Sequence, residues 1–116
     1  MDAQFSVISH VRSLFEQRYI NPCLLANLYM DYNPIPEINL FITKSQSLFP
    51  RLNCGIASLY LKYILGEGDV VQGTYAGQVH TYLRLRGKII VDITADQFEG
   101  PRIYRGAEEH PWSKDE

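Results

Sequence analysis

Residues 79–96, VHTYLRLRGKIIVDITAD, can form a hairpin with a buried face in only one register. Side chains along a strand alternate between its two faces. The odd positions are Val79, Thr81, Leu83, Leu85, Ile89, Val91, Ile93 and Ala95, and they carry nearly all the aliphatic residues. The even positions include His80, Tyr82, Arg84, Asp92, Thr94 and Asp96. A two-residue loop at Gly87 and Lys88 would set Asp92 across from Leu83, on the apolar face. A three-residue loop at 86–88 pairs Leu85 with Ile89, Leu83 with Val91 and Thr81 with Ile93. All the aliphatic odd positions then share one face. His80, Tyr82, Asp92 and Thr94 share the other, with His80 diagonal to Asp92 at roughly 7–8 Å between Cα atoms, within reach of an imidazole and a carboxylate. A slip of one residue would exchange the faces, so the pattern selects the odd loop. Gly87 suits the bulged turn that such a loop uses.

The segment before the hairpin reads as helical. Residues 3–19 place Phe5, Ile8, Val11, Leu14 and Phe15 on one broad face. NPCLLANLYMDY reads as a second helix, with Asn21 as N-cap and Pro22 in the first turn, broken by NPIP at 33–36. Residues 37–52 read as irregular or weakly extended, with a short strand at INLFIT. A third helix starts at NCGIASLYLKYILG, capped by Asn53 and stopped by Gly66. Strands follow at about 69–75, 78–86 and 89–95, and a short one near RIY at 102–104. The tail AEEHPWSKDE reads as loosely held. Helices followed by a strand meander predict one α+β domain over 1–116, helical to about residue 66 and an antiparallel sheet over about 69–104. Eight tyrosines are many for this length; core packing is the expected use, and a cleft the other.

The chemistry follows from placement. Cys54 falls at the start of the third helix, where open N–H groups and the helix dipole stabilise an anion. The thiolate is the reactive form of cysteine, and a helix start is one way to favour it. Gly55 beside it lets a substrate approach closely. In chain order the sequence supplies a Cys at a helix start, a His on a strand and an Asp on the next strand. That is a nucleophile, a base and an orienting group. Cys54 would attack a carbonyl and His80 would exchange its proton. Asp92 would fix the imidazole tautomer, and the Cys54 backbone N–H would serve as one oxyanion donor. Taken singly, Cys54 reads as a buried helix-start residue, His80 as a bonded structural histidine and Asp92 as a strand-end acceptor. Their order and shared face argue for the triad.

These motifs, NCGIASLYL, VHTYLRL and IIVDITADQF, resemble those of the papain-like cysteine hydrolases, specifically the transglutaminase-like branch, over about residues 53–98. The resemblance implies a papain-like fold with Cys54 as nucleophile, His80 as base and Asp92 as orienter. The DITADQF ending is similar to that of small bacterial proteins of this superfamily. The layout also resembles, more weakly, that of leader-peptide-cleaving proteases of lasso-peptide clusters. Tyr82 stands where many transglutaminases carry a Trp two residues after the His. Gln46, eight residues before Cys54, is the candidate for the upstream Gln of papain-type enzymes. Asn53, Gly55, Gln46, Tyr82 and Gln97 make up the oxyanion and substrate candidates, with Asp96 and Gln97 otherwise serving turn hydrogen bonds. Cys23, His10 and His110 are expected in core, surface and tail respectively.

Composition bounds the rest. A chain 46% hydrophobic and 21% charged can bury a core, and a net charge of -2 gives no electrostatic case for nucleic acid or an anionic membrane. Arg84, Arg86 and Lys88 read as a solvated turn. The N-terminus lacks the pattern of a signal peptide, and two cysteines are few for a disulfide-stapled secreted domain, so a cytoplasmic protein with reduced thiols is expected. A delivered bacterial effector is one setting that fits. No cofactor is expected. The rival chemistry is a zinc site of Cys54, His80 and Asp92, without any close-spaced ligand pair. The expected function is a thiol hydrolase or acyltransferase on amide-type bonds of a peptide or protein: a peptidase, amidase, deamidase or transglutaminase. The alternative is a non-catalytic binding or adaptor domain on the same scaffold. The sequence sets no oligomeric state.

Overall fold

A computed structural model describes residues 2–114. Its elements, in chain order, are α1 (Ala3–Gln17), α2 (Pro22–Tyr32), α3 (Ile38–Leu48), α4 (Cys54–Leu65), β1 (Asp69–Tyr75), β2 (Gln78–Arg84), β3 (Ile89–Asp92), β4 (Tyr104–Ala107) and β5 (Trp112–Lys114). The strands form one antiparallel sheet in the order β4-β3-β2-β1-β5, preceded by the helices, which is the expected α+β class.

The local signals account for most boundaries. Asp2 caps α1 by accepting from the Phe5 N–H at 3.0 Å. Asn21 accepts from the Cys23 N–H at 2.8 Å ahead of Pro22. Gly66 ends α4 in the left-handed region at φ 73°. The hairpin takes the three-residue loop. Leu83 pairs with Val91 and Arg84 with Ile90, and the Leu85 N–H donates to the Ile89 carbonyl at 2.7 Å. Gly87 sits at φ 72°.

That register separates the two faces of the sheet. Leu83, Leu85, Val91 and Ile93 join the main core with Ile8, Val11 and Phe15 of α1, Ile42 of α3 and Ile56 and Leu61 of α4. The opposite face carries Val71, Tyr75, Tyr82 and Ile90, covered by Trp112, Phe98 and Tyr104.

Three expectations fail. Residues 38–48 form a helix rather than an irregular stretch with a strand. Ile38, Phe41, Ile42 and Ser45 recur at helical spacing, and Ile42 and Ser45 are fully buried. That stripe overrides the extended preference of the β-branched Ile38, Ile42 and Thr43. The tail is not loose. β5 pairs with β1 through Gly73↔Lys114, Thr74↔Ser113 and Tyr75↔Trp112. Trp112 is only 4% exposed, stacked on Tyr104 at 3.9 Å between ring centroids and edge-on to Tyr75 at 5.1 Å. Arg84 is likewise no free turn residue, because it pairs with Glu108.

Candidate active site

α4 begins at Cys54, which is half-buried. Asn53 precedes it but does not cap the helix with its side chain. Its Nδ2 donates instead to the carbonyls of Ser45 at 2.5 Å and Arg51 at 2.8 Å, tying the turn before α4 to α3. Asn53 is therefore a buried structural residue, and the first-turn N–H groups of α4 have no side-chain cap.

His80 lies on β2 with no exposed surface. Its Nε2 is 2.7 Å from Asp92 Oδ2, the diagonal contact that the register permits. The Tyr75 and Phe98 rings meet the imidazole edge-on, and Tyr82 lies beside it, so the ring stands in a dry aromatic frame. Asp92 is 2% exposed and fully engaged. Its Oδ2 also accepts from Trp112 Nε1 at 2.7 Å. Its Oδ1 accepts from the Thr94 N–H at 2.9 Å and the Thr94 hydroxyl at 3.3 Å. Burying a carboxylate without such donors would be costly. An acceptor-only carboxylate on Nε2 places a proton there, so Nδ1 is the nitrogen left for the thiol.

The β2–β3 ladder covers only Leu83↔Val91 and Arg84↔Ile90, and β3 ends at Asp92. Thr81, which an extended ladder would pair with Ile93, is thus open on that side. The Cys54 thiol interacts with the Thr81 backbone and side chain and with the His80 side chain. Burial pushes the thiol pKa up, but His80 and the Thr81 backbone outweigh it, and the net direction is down from 9.0. For His80, burial opposes the charge, but the Asp92 hydrogen bond and the nearby Cys54 thiol win and raise it from 6.5 to about 9. One group moves down and the other up, which favours a thiolate–imidazolium pair. His80 Nδ1 nevertheless makes no aligned hydrogen bond.

Cys54 opens on a cleft of about 210 Å³ walled by Tyr29, Tyr32 and Asn33 of α2, Phe41 of α3, Leu52, Gly55, Ile56, Gln72 of β1 and Thr81 of β2. A larger hollow of about 560 Å³ lies between α2 and α4, lined by residues such as Leu59, Lys62 and Tyr63, with neither a cysteine nor a histidine among its lining residues. Cys54 thus opens on the smaller of the two.

Of the other sequence candidates, only Gly55 lines this cleft. A Cβ there would stand 3.4 Å from the Tyr29 ring, so the glycine keeps the mouth wide. Gln46 points away, its Nε2 donating to the Ile20 carbonyl at 3.4 Å. Tyr82 shares the His80 face but is fully buried and donates to Glu108 Oε2 at 2.6 Å. Gln97 lies in the 3₁₀ turn Ala95–Phe98, outside the cleft wall. Asp96 does more than close a turn: both its oxygens pair with Arg12 at 2.8 and 2.7 Å. Cys23 is exposed rather than in the core, and both cysteines are free thiols. His80 is hydrogen-bonded to Asp92 and also interacts with the Cys54 thiol. Ligands of a shared metal ion would converge on one point, and among the described residues no three such groups do so.

Sequence reasoning missed Trp112, Thr81, Gln72 and the cleft tyrosines Tyr29 and Tyr32. Gln72 had a usable signal. The Ala76-Gly77 turn pairs Tyr75 with Gln78, and counting back sets Gln72 opposite Thr81. Trp112, alone in a polar tail, gave no periodic signal at all. No protein-family model, no curated protein and no solved structure matches this chain.

Proposed function

We propose that the protein is a thiol hydrolase or acyltransferase acting on amide-type bonds of a peptide or protein substrate through a thioester at Cys54. The observation that carries this reading is the Cys54–His80–Asp92 series at the wall of a cleft, with the thiol pKa lowered and the imidazole pKa raised. A helix-start Cys followed by His and Asp on neighbouring antiparallel strands is also the layout of the transglutaminase-like branch of papain-like enzymes, to which we assign the chain on this ground. Free thiols and the absence, among the described residues, of any helix long and apolar enough to cross a membrane fit a cytoplasmic setting.

The Cys54 thiolate attacks the carbonyl carbon, a C–S bond forms, and the carbonyl electron pair moves to oxygen. The tetrahedral species collapses and the C–N bond breaks. The departing nitrogen takes the proton of the His80 imidazolium. Neutral His80 then accepts a proton from water, or from an acceptor amine, as that group attacks the thioester. The C–S bond breaks, and the thiolate–imidazolium pair returns. Asp92 accepts from the imidazole and holds it in place.

The test is iodoacetamide alkylation against pH, read by mass at Cys54 because Cys23 is exposed and also reacts. The wild type should alkylate with a midpoint below 9.0, and His80→Asn should move that midpoint back toward an ordinary thiol. An ordinary titration in the wild type would favour the binding or adaptor reading instead.

A further inference from the structure

We propose that Gln72 is an oxyanion-binding residue whose side-chain amide, with the Cys54 backbone N–H, holds the oxygen that becomes negative when Cys54 attacks an acyl group. This rests on the acyl-transfer reading above. Gln72 sits in the middle of β1 with its side chain exposed to the cleft that Cys54 opens on. The β1–β2 register sets it directly across from Thr81, the residue whose backbone and side chain act on the thiol. Directly opposed residues hold their Cβ atoms about 4.5–5.5 Å apart, and Gln72, Thr81 and Cys54 all line the same cleft.

The amide is also held. Its Nε2 donates to the Tyr32 hydroxyl at 3.1 Å, and Tyr32 is itself part of the cleft wall. A primary amide has two N–H bonds, and one contact uses only one of them. The second is available to an oxygen at the reacting carbon. An oxyanion formed between Tyr29, Phe41 and Leu52 would be poorly solvated, and a fixed amide donor is what such a place requires. Gln46 and Asn53 are already committed to backbone carbonyls elsewhere, and Gln97 lies off the cleft.

Two probes on the same thiol test this, used in the Cys23→Ser background. Iodoacetamide alkylates by displacing iodide at carbon and forms no oxyanion. p-Nitrophenyl acetate acylates through one: the thiolate attacks the carbonyl carbon, the electron pair moves to oxygen and returns, and p-nitrophenolate leaves. Gln72 is exposed, so Gln72→Ala should fold. It should slow the p-nitrophenolate burst by roughly 10²-fold while leaving the iodoacetamide rate unchanged. Tyr32→Phe, which removes only the acceptor that holds the amide, should slow the burst less. A Gln72→Ala protein slowed equally toward both probes, or toward neither, overturns the role of Gln72 while leaving Cys54 a reactive thiol. A wild type that alkylates as an ordinary thiol and is never acylated overturns the acyl-transfer reading, and the Gln72 role with it.

Discussion

His80 is the residue on which the site's pH behaviour turns. Its pKa is raised to about 9, so the imidazolium persists below that pH and is lost above it. The Cys54 pKa is lowered, so its thiolate appears below the ordinary 9.0. The ion pair therefore exists between the lowered thiol value and about 9, and the alkylation profile should show two steps that belong to the pair. The stability signs are opposite. The raised His80 value contributes stability fully present below pH 6.5 and lost as pH rises through about 9. The lowered Cys54 value contributes stability present above pH 9.0 and lost as pH falls through its folded value. Trp112 adds to the same carboxylate, its indole N–H landing on the Oδ2 that His80 also uses. Trp112→Phe keeps most of the ring and removes that donor. A hydrogen bond to a buried charge contributes about 2 kcal/mol, and urea unfolding should show a loss of that order. His80 and Asp92 were legible from strand parity alone. The third partner on Asp92 was not, because nothing local in AEEHPWSKDE says that its tryptophan crosses the sheet.

At the scale of elements, the hairpin was readable because one register gathers its aliphatic side chains on one face, and a slip of one residue would set Asp92 among them. α3 was not, because β-branched residues at Ile38, Ile42 and Thr43 argue for a strand while the burial stripe argues for a helix, and packing decides. β5 was missed because a three-residue edge strand is held by what lies under it. Gly73 is that support. A Cβ there would come within 2.5 Å of the Ser113 carbonyl and 2.7 Å of the Tyr82 hydroxyl, so β5 approaches β1 only over a glycine. Gly73→Ala should therefore lift β5 and carry Trp112 off Asp92. Trp112 is the single tryptophan and is buried, so its emission should shift to the red well before global unfolding. An unshifted native spectrum would show that β5 holds without this close approach. The same variant should lower the acylation rate through Asp92, which links the strand edge to the site.

At the scale of the molecule, the helical layer and the sheet are locked together beside the triad by Arg12. This α1 guanidinium is only 4% exposed. It donates to the Ile93 carbonyl at 2.6 Å, to both Asp96 oxygens at 2.8 and 2.7 Å, and to the Arg102 carbonyl at 3.3 Å. Glu16 completes the cluster through Arg12 and Arg102, and those hydrogen bonds, working against partial burial, bring its pKa down to about 2. Glu16 thus contributes stability present above pH 4.5 and lost as pH falls toward about 2. No sequence pattern pairs residues 84 positions apart, so this clamp was invisible until the chain was folded. Its location gives it a consequence beyond stability, because Ile93 and Asp96 bracket the turn that carries Thr94 back onto Asp92. Arg12→Met leaves the Ile93 carbonyl and the partly buried Asp96 without their donor. Breaking such a pair costs about 3 kcal/mol in urea unfolding. Arg12→Lys restores the charge but not the forked geometry, so it should recover part of the stability and little of the turn. If the clamp positions Asp92, the lysine variant will still show a Cys54 alkylation midpoint moved up toward that of an ordinary thiol. A lysine variant with the wild-type midpoint would confine Arg12 to holding the two layers together.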